Sequence, residues 1–389
     1  MATWSLDPGF VHINHGSFGA TPVEVLSEQD RWRTELEANP VSFMLETYQP
    51  ALEEARSAVA TFVNCDTEGL VFVPNATFGV NSVTRSLEPR LAGGAEIIVT
   101  NQGYNACNNA ISASAERAGA RIVMVDLPFP LQSEREIIDP ILSAVSGRTA
   151  LVVLDHVTSP TGIVFPVAEL VAQLEPEVPV LIDGAHAPGM LDVDLEALGA
   201  SFYTANCHKW MCAPKGSGFL HVAERHRDWM SAAVISHGLN GGWPGSGSDY
   251  HARFDWVGTD DPSARLSVGI AIDVMGQHHP EGWEGVRSTN HELVLEGRSL
   301  LANSLGATIP APDSMIGAIA SVVLPQGPSG SDHIFDPLME VLRSKWRIEV
   351  PVFTWPDASR RLIRVSAQQY NTISDYEKLA QALVAELAL

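Results

Sequence analysis

Residues 201–222 read SFYTANCHKWMCAPKGSGFLHV. A strand-like run, Ser201–Ala205, opens the stretch, and a second, Gly218–Val222, closes it. The second follows the first too closely for a helical crossover, so it is expected to run antiparallel in whatever sheet they share. Between them stands Lys209, flanked by His208 and Trp210, with no acid within several residues. Such a lysine either snorkels over apolar neighbours or is held as an amine for covalent chemistry.

Working outward, strand-like and helix-like segments alternate from about residue 70 to 222. The strands are Leu70–Val73, Glu96–Thr100, Arg121–Val125, Ala150–Asp155, Val178–Ile182, Ser201–Ala205 and Gly218–Val222. Helical patterns at Thr77–Leu87, Asn105–Arg117, Glu136–Val145 and Val167–Leu174 separate most of them. That rhythm specifies an α/β fold with a mostly parallel sheet. Helix-rich sequence resumes after Pro262 and runs through Trp283–Leu305. A smaller α/β pattern follows: Ala318–Leu324, helix-like His333–Ser344, Ile348–Phe353, Leu362–Ser366 and a closing helix Ser374–Leu387. Ser374 and Glu377 have capping-box spacing. One large central domain and one C-terminal domain are expected; periodicity does not place the first thirty or so residues.

Ligands of parallel α/β sheets gather at the carboxyl ends of the strands. After Leu70–Val73, Asn75, Ala76 and Thr77 open a helix, which makes either an anion site for phosphate or an ordinary cap. There is no GxGxxG or GxxxxGK[ST] motif. After Glu96–Thr100, Tyr104 is placed to cover a flat ring or to pack in the core. After Ala150–Asp155 come His156, Thr158 and Ser159, which a turn before Pro160 explains equally well. Asp183 ends an apolar run, so it needs a partner or a cationic ligand; His186 follows three residues on. A metal site from Asp183, His186 and His208 competes, without a clear fourth ligand or metal-like spacing. An acid, an amine and a phosphate cradle in one crevice suit pyridoxal phosphate: the lysine takes the aldehyde, the acid the ring nitrogen, the helix start the phosphate.

Composition narrows the partners. The chain has 389 residues, 45% of them hydrophobic and 18% charged, which suits a globular protein of more than one domain. A net charge of -22 disfavours nucleic acid and anionic membranes as partners. No apolar run approaches a membrane span. The first residues, MATWSLDPGF, do not read as a secretory signal. Four cysteines in a chain this long are no disulfide framework, and a cytoplasmic location is expected.

DGAHAPG at 183–189 followed by NCHKWMCAPKGSGFLHV at 206–222 resembles the class V aminotransferase family of fold-type I pyridoxal phosphate enzymes. NHGSFG at 14–19, VTSPTG at 157–162 and RVSAQQYNT at 364–372 look most like its isopenicillin N epimerase branch. The resemblance implies a seven-stranded, mostly parallel sheet in a large cofactor domain, residues 16–262, and a small domain of residues 1–15 and 263–389. It implies a homodimer with its site at the interface and an amino acid substrate. By position, Lys209 would be the Schiff-base lysine, Asp183 would pair with the pyridine nitrogen and His186 would hydrogen-bond the ring's phenolic oxygen. Tyr104 would replace the family's stacking side chain, often a histidine. Ala76, Thr77, Asn206 and His208 would hold the phosphate, with Thr259 joining from the other subunit. Ser159 falls where relatives often have an asparagine near a cofactor oxygen. Arg364 would bind the substrate carboxylate, and Asn14 and His15 would line the substrate entrance.

The resemblance leans toward epimerisation at Cα, with C–S bond cleavage of a cysteine-type substrate and transamination as alternatives. Epimerisation needs a second acid/base, for which Tyr104, His15 and water are candidates. Persulfide-forming desulfurases of the family carry a cysteine in the C-terminal third; here none follows Cys212, and the counterpart region reads RIEVPVF with Glu349. A metal hydrolase and a non-catalytic binding protein are the readings from other classes.

Overall fold

The computed structural model describes residues 3–175, 177–240, 245–326, 336–356 and 360–388. Seven strands form the main sheet: β1 (Leu70–Val73), β2 (Glu96–Thr100), β3 (Arg121–Val125), β4 (Thr149–Asp155), β5 (Val180–Asp183), β6 (Phe202–Asn206) and β7 (Gly218–Val222). Their order is β1-β7-β6-β5-β4-β2-β3. Strand β7 runs antiparallel to both neighbours, as its closeness to β6 requires, and the other pairings are parallel. The fold is thus α/β with a seven-stranded, mostly parallel sheet. Strands β1, β2, β5 and β6 are buried along their whole length, which explains their uninterrupted apolar reading. Strand β5 starts at Val180 rather than Val178, because Pro179 has no N–H to give a ladder.

Helices Ala76–Leu87, Asn105–Ala118, Arg135–Ala144 and Val167–Leu174 fall where the pattern predicts them, within a residue or two. The first lies close on β6: a Cβ at Gly79 would stand 2.1 Å from Thr204 Oγ1. Only glycine allows that approach, and it sets the helix start beside the end of the sheet.

The C-terminal part holds a three-stranded antiparallel sheet ordered Val352–Thr354, Arg361–Ser366, Ile319–Leu324. The expected strand Ile348–Phe353 is split. Ile348–Glu349 pairs in parallel with Val11–His12, and Pro351, which lacks a donor, separates it from Val352–Thr354. The long helix Gly282–Leu305 and the closing helix Ile373–Leu387 pack together. The capping box of the latter is Thr372 with Asp375, not Ser374 with Glu377, because the chain is still extended at Thr372. The expected helix His333–Ser344 is present as Pro337–Trp346; His333–Phe335 lie outside the described residues.

The N-terminal segment, unplaced by periodicity, forms a separate two-stranded sheet with Ile348–Glu349 through Val11–His12 and then forms helices Val23–Ala38 and Tyr48–Phe62. Among the described residues no helix is long and apolar enough to cross a membrane.

Candidate active site

A cavity of about 400 Å³ opens at the carboxyl ends of the sheet strands. The turns after five strands line it. Asn75, Ala76 and Thr77 follow β1, Tyr104 follows β2, and Asp155 ends β4 with Val157 and Ser159 beyond. Asp183 ends β5, followed by Ala185 and His186, and β6 supplies Asn206, His208 and Lys209. Ser17 and Phe18 close the rim from the N-terminal segment. That segment reaches the lysine because Gly19 sits at φ +72°, where a Cβ would stand 2.0 Å from the His208 carbonyl oxygen.

Lys209 is partly buried, and its Nζ stands 3.0 Å from His186 Nε2. Loss of hydration and the nearby Arg364 charge lower the amine's pKa to about 8, against the pull of Asp183. Burial, together with the Lys209 charge, pushes His186 well below its ordinary range, so the ring is neutral. Its other nitrogen accepts a hydrogen bond from the Trp210 indole, 3.3 Å away.

Asp183 is 4% exposed. Its Oδ1 accepts from the Ala185 N–H at 3.0 Å, and its Oδ2 from the Cys107 thiol at 3.1 Å. Burial raises the Cys107 pKa and keeps it a thiol donor. Asp155 lies in register with Asp183 on the neighbouring strand. Burial first, and then the Asp183 charge, raise its pKa far above the carboxylate range. Sequence reasoning passed over both partners. Asp155 carried the signal that found Asp183, an acid ending an apolar run; Cys107, one turn inside a helix, carried none.

At the other end, Asn75 caps the Ala76–Leu87 helix by accepting from Phe78 N–H at 3.0 Å. Asn206 Oδ1 accepts from Ala76 N–H at 2.9 Å, which ties the helix start to the end of β6. Both readings of this helix start therefore apply: Asn75 is the cap, while Thr77 and the helix's positive end face the cavity. His208 Nδ1 bonds the Ser217 carbonyl at 2.8 Å, and burial holds its pKa at about 4.

Arg364, on the central strand of the small sheet, is 7% exposed. Its guanidinium donates to the Ser159 carbonyl at 2.5 Å and to Ser17 Oγ at 3.0 Å. Among the described residues it has no carboxylate partner, and burial lowers its pKa to about 10. A buried cation without a counter-ion, bonded to two rim serines, fits an anionic ligand group.

Three expected site residues stand apart. Asn14 accepts from Ser17 Oγ at 2.6 Å and does not line the cavity. His15 lies behind the lysine, with Nε2 at 2.9 Å from the Lys209 carbonyl oxygen and Nδ1 at 3.0 Å from the Tyr370 hydroxyl. Thr259 is exposed, in a bend that does not reach this cavity. For the metal alternative, both His186 nitrogens are engaged by Lys209 and Trp210, and among the described residues no group of three or more His, Cys, Asp or Glu side chains stands together in a way that could hold a metal ion.

A nucleophilic amine, a buried acid and a helix start around one cavity, with the Arg364 guanidinium bonded to its rim residues Ser159 and Ser17, fit pyridoxal phosphate and an amino acid. Comparison with known proteins agrees. Residues 19–242 match the family Aminotransferase class-V. The chain is 34% identical to isopenicillin N epimerase of Amycolatopsis lactamdurans, over 97% of this chain and 96% of that protein. It is 29% identical to L-cysteine desulfhydrase of Arabidopsis thaliana, over 96% of this chain and 87% of that one. Its fold superposes on the cystine C–S lyase C-DES, solved with its reaction product cysteine persulfide, with a TM-score of 0.79 at 21% identity and 97% coverage of each chain. The chain belongs to the class-V aminotransferase family, and it is an enzyme whose cofactor is pyridoxal 5'-phosphate.

Proposed function

We propose that the enzyme cleaves the Cβ–S bond of a cysteine-type amino acid by β-elimination. The observation that carries this reading is that Lys209 is, among the described residues, the one amine lining the cavity, with its pKa lowered to about 8. One base that can take a proton and give it back is all that elimination needs. The Cα–H and Cβ–S bonds break, the sulfur leaves with a proton, and the carbon skeleton is released by hydrolysis as pyruvate and ammonia. The relatives named for C–S chemistry support the same choice. Sulfur would leave directly as a thiol, because no cysteine follows Cys212; Glu349, in the region that by resemblance is the counterpart of the persulfide cysteine, is paired in a strand beside His12.

When bound, pyridoxal phosphate supplies the electron sink that makes the Cα proton removable. Lys209 would hold the cofactor carbon and, once free, would move the Cα proton. Asp183 would serve the ring nitrogen, and His186 and Ser159 the ring oxygen side. Ala76, Thr77, Asn206 and His208 would hold the phosphate, and Tyr104 would cover the ring. Arg364 takes the substrate carboxylate. Arg364→Lys keeps the charge and loses the two-pronged geometry. With about 1.5–3 kcal/mol in a hydrogen bond to a charged group, KM is expected to rise ~10–100-fold with a smaller change in kcat. A larger fall in kcat than rise in KM would contradict this role.

Exposed Phe18, Val41, Leu45, Val234, Ile235 and Leu239 support a homodimer in which Thr259 reaches the partner's phosphate. Four unpaired thiols agree with a reducing compartment such as the cytoplasm.

Epimerisation is the second reading, favoured by Tyr104, which lines the cavity and brings a hydroxyl. His15 no longer supports it, since both its nitrogens are engaged behind Lys209. Proton NMR of the holoenzyme in D2O with L-cysteine, cysteine conjugates and other L-amino acids separates the two. Elimination yields pyruvate and a thiol. Loss of the α-proton signal with the substrate otherwise intact would mean epimerisation and overturn the proposal.

A further inference from the structure

His186 is gripped from both sides. Trp210 Nε1 stands 3.3 Å from its Nδ1, and Lys209 Nζ stands 3.0 Å from its Nε2. An indole N–H donates and never accepts. Nδ1 must therefore present its lone pair, and the ring proton belongs on Nε2. His186 and Trp210 are 2% and 1% exposed, and Trp210 does not line the cavity, so water does not replace the contact between them. A second ring proton would set two N–H donors against each other in a buried place, at the cost of an unsatisfied group. The grip itself is braced: the Trp210 indole packs on the His15 ring, with centroids 4.9 Å apart, and His15 bonds the Lys209 carbonyl.

The consequence falls on the lysine. A neutral amine offers a lone pair to the Nε2–H donor, whereas an ammonium meets it donor to donor. The other titratable groups facing Lys209 divide. The Asp183 carboxylate favours the ammonium and Arg364 disfavours it, while Asp155 and Cys107 would favour the ammonium only when ionised, which burial opposes. His186 itself faces Lys209, Arg364, His15 and His208, all of which oppose a charge on its ring. With acids on one side, withholding an acceptor on the other tips the amine toward neutrality.

We infer that Trp210 is a positioning residue: it fixes the ring proton on His186 Nε2 and thereby favours the uncharged form of the Lys209 amine, the form that captures an aldehyde. This rests on Lys209 being the residue that captures the cofactor. In Trp210→Phe, Nδ1 is released, the proton can move to it, and Nε2 becomes an acceptor that stabilises the ammonium.

Two readouts on the apoprotein test this. The first is long-range ¹H–¹⁵N NMR of ¹⁵N-histidine protein, with His186 identified by its loss in His186→Phe. Wild type is expected to show the Nε2–H tautomer without change from pH 6 to 9, and Trp210→Phe to populate the Nδ1–H form. The second is the pH midpoint for covalent capture of pyridoxal phosphate. It should rise by about one unit in Trp210→Phe, roughly a tenfold slower capture at pH 7. An unchanged tautomer or an unchanged midpoint in Trp210→Phe overturns the inference. If that variant does not fold, His186→Phe, which removes the facing donor, must raise the midpoint, and no rise overturns it. Absence of any capture in wild type would instead sink the reading of Lys209, and the tautomer spectrum would still stand or fall independently.

Discussion

Lys209→Ala is expected to abolish the absorption band of the lysine–cofactor Schiff base and to lower kcat by on the order of 10⁴-fold or more. Two functions disappear together: the amine that holds the cofactor covalently and the base that moves the Cα proton. No other cavity-lining residue replaces it. Lys215, six residues on, is directed to Thr21 at 3.4 Å and does not line the cavity. His186, the nearest nitrogen, is neutral and already bonded at both ring positions. The fold should be untouched, since the side chain packs into the cavity rather than the core, so far-UV circular dichroism and the unfolding midpoint should match wild type. Partial recovery of turnover by a small primary amine would identify the loss as that of a base. Full activity without added amine would contradict the mechanism.

The largest stability effect is expected far from the chemistry. Arg56 is fully buried and donates to both oxygens of Asp255, at 2.9 and 3.0 Å; the Asp255 side chain is 1% exposed. The same guanidinium bonds the Leu70 carbonyl at 2.6 Å, at the start of β1. It thus joins the helix Tyr48–Phe62, the edge of the sheet and the end of the helix Asp249–Asp255. Arg56→Met would leave the buried Asp255 charge without a counter-ion, with only the Gln49 amide still bonded to it at 3.0 Å, at a cost of about 3–5 kcal/mol. Arg56→Met with Asp255→Leu removes both charges and should recover most of that loss. Urea unfolding checks both. A loss below ~1 kcal/mol in the single variant, or no recovery in the double, would show that the pair is not the clamp.

Strands were legible because this sheet is buried on both faces. Leu70–Val73 and Glu96–Thr100 read as apolar runs, and the polar residues after them mark strand ends. Lys209, Asp183, Ala76, Thr77 and Tyr104 could be brought to one crevice by that rule alone, and they share one cavity. What was not legible depends on side chains that meet across sequence distance. Arg56 and Asp255 are 199 residues apart, Cys107 and Asp183 are 76, and nothing local marks either pair. The helix Val23–Ala38 was missed because it buries only Val25 and Gln29, so its apolar stripe is too thin to show. Trp210 was in plain view beside Lys209, but its contact with His186 depends on where the turn after β6 aims the indole. Arg364 is placed at the substrate carboxylate by resemblance alone, and its burial against Ser159 comes from the fold.

The central claim is that Lys209 is the residue that carries the cofactor. Borohydride reduction of the holoenzyme, followed by proteolysis and peptide mass mapping, tests it most directly. The expected result is a single reduced pyridoxyl label on Lys209. A label on Lys215 or elsewhere, or no covalent label on protein that binds pyridoxal phosphate, would contradict the account.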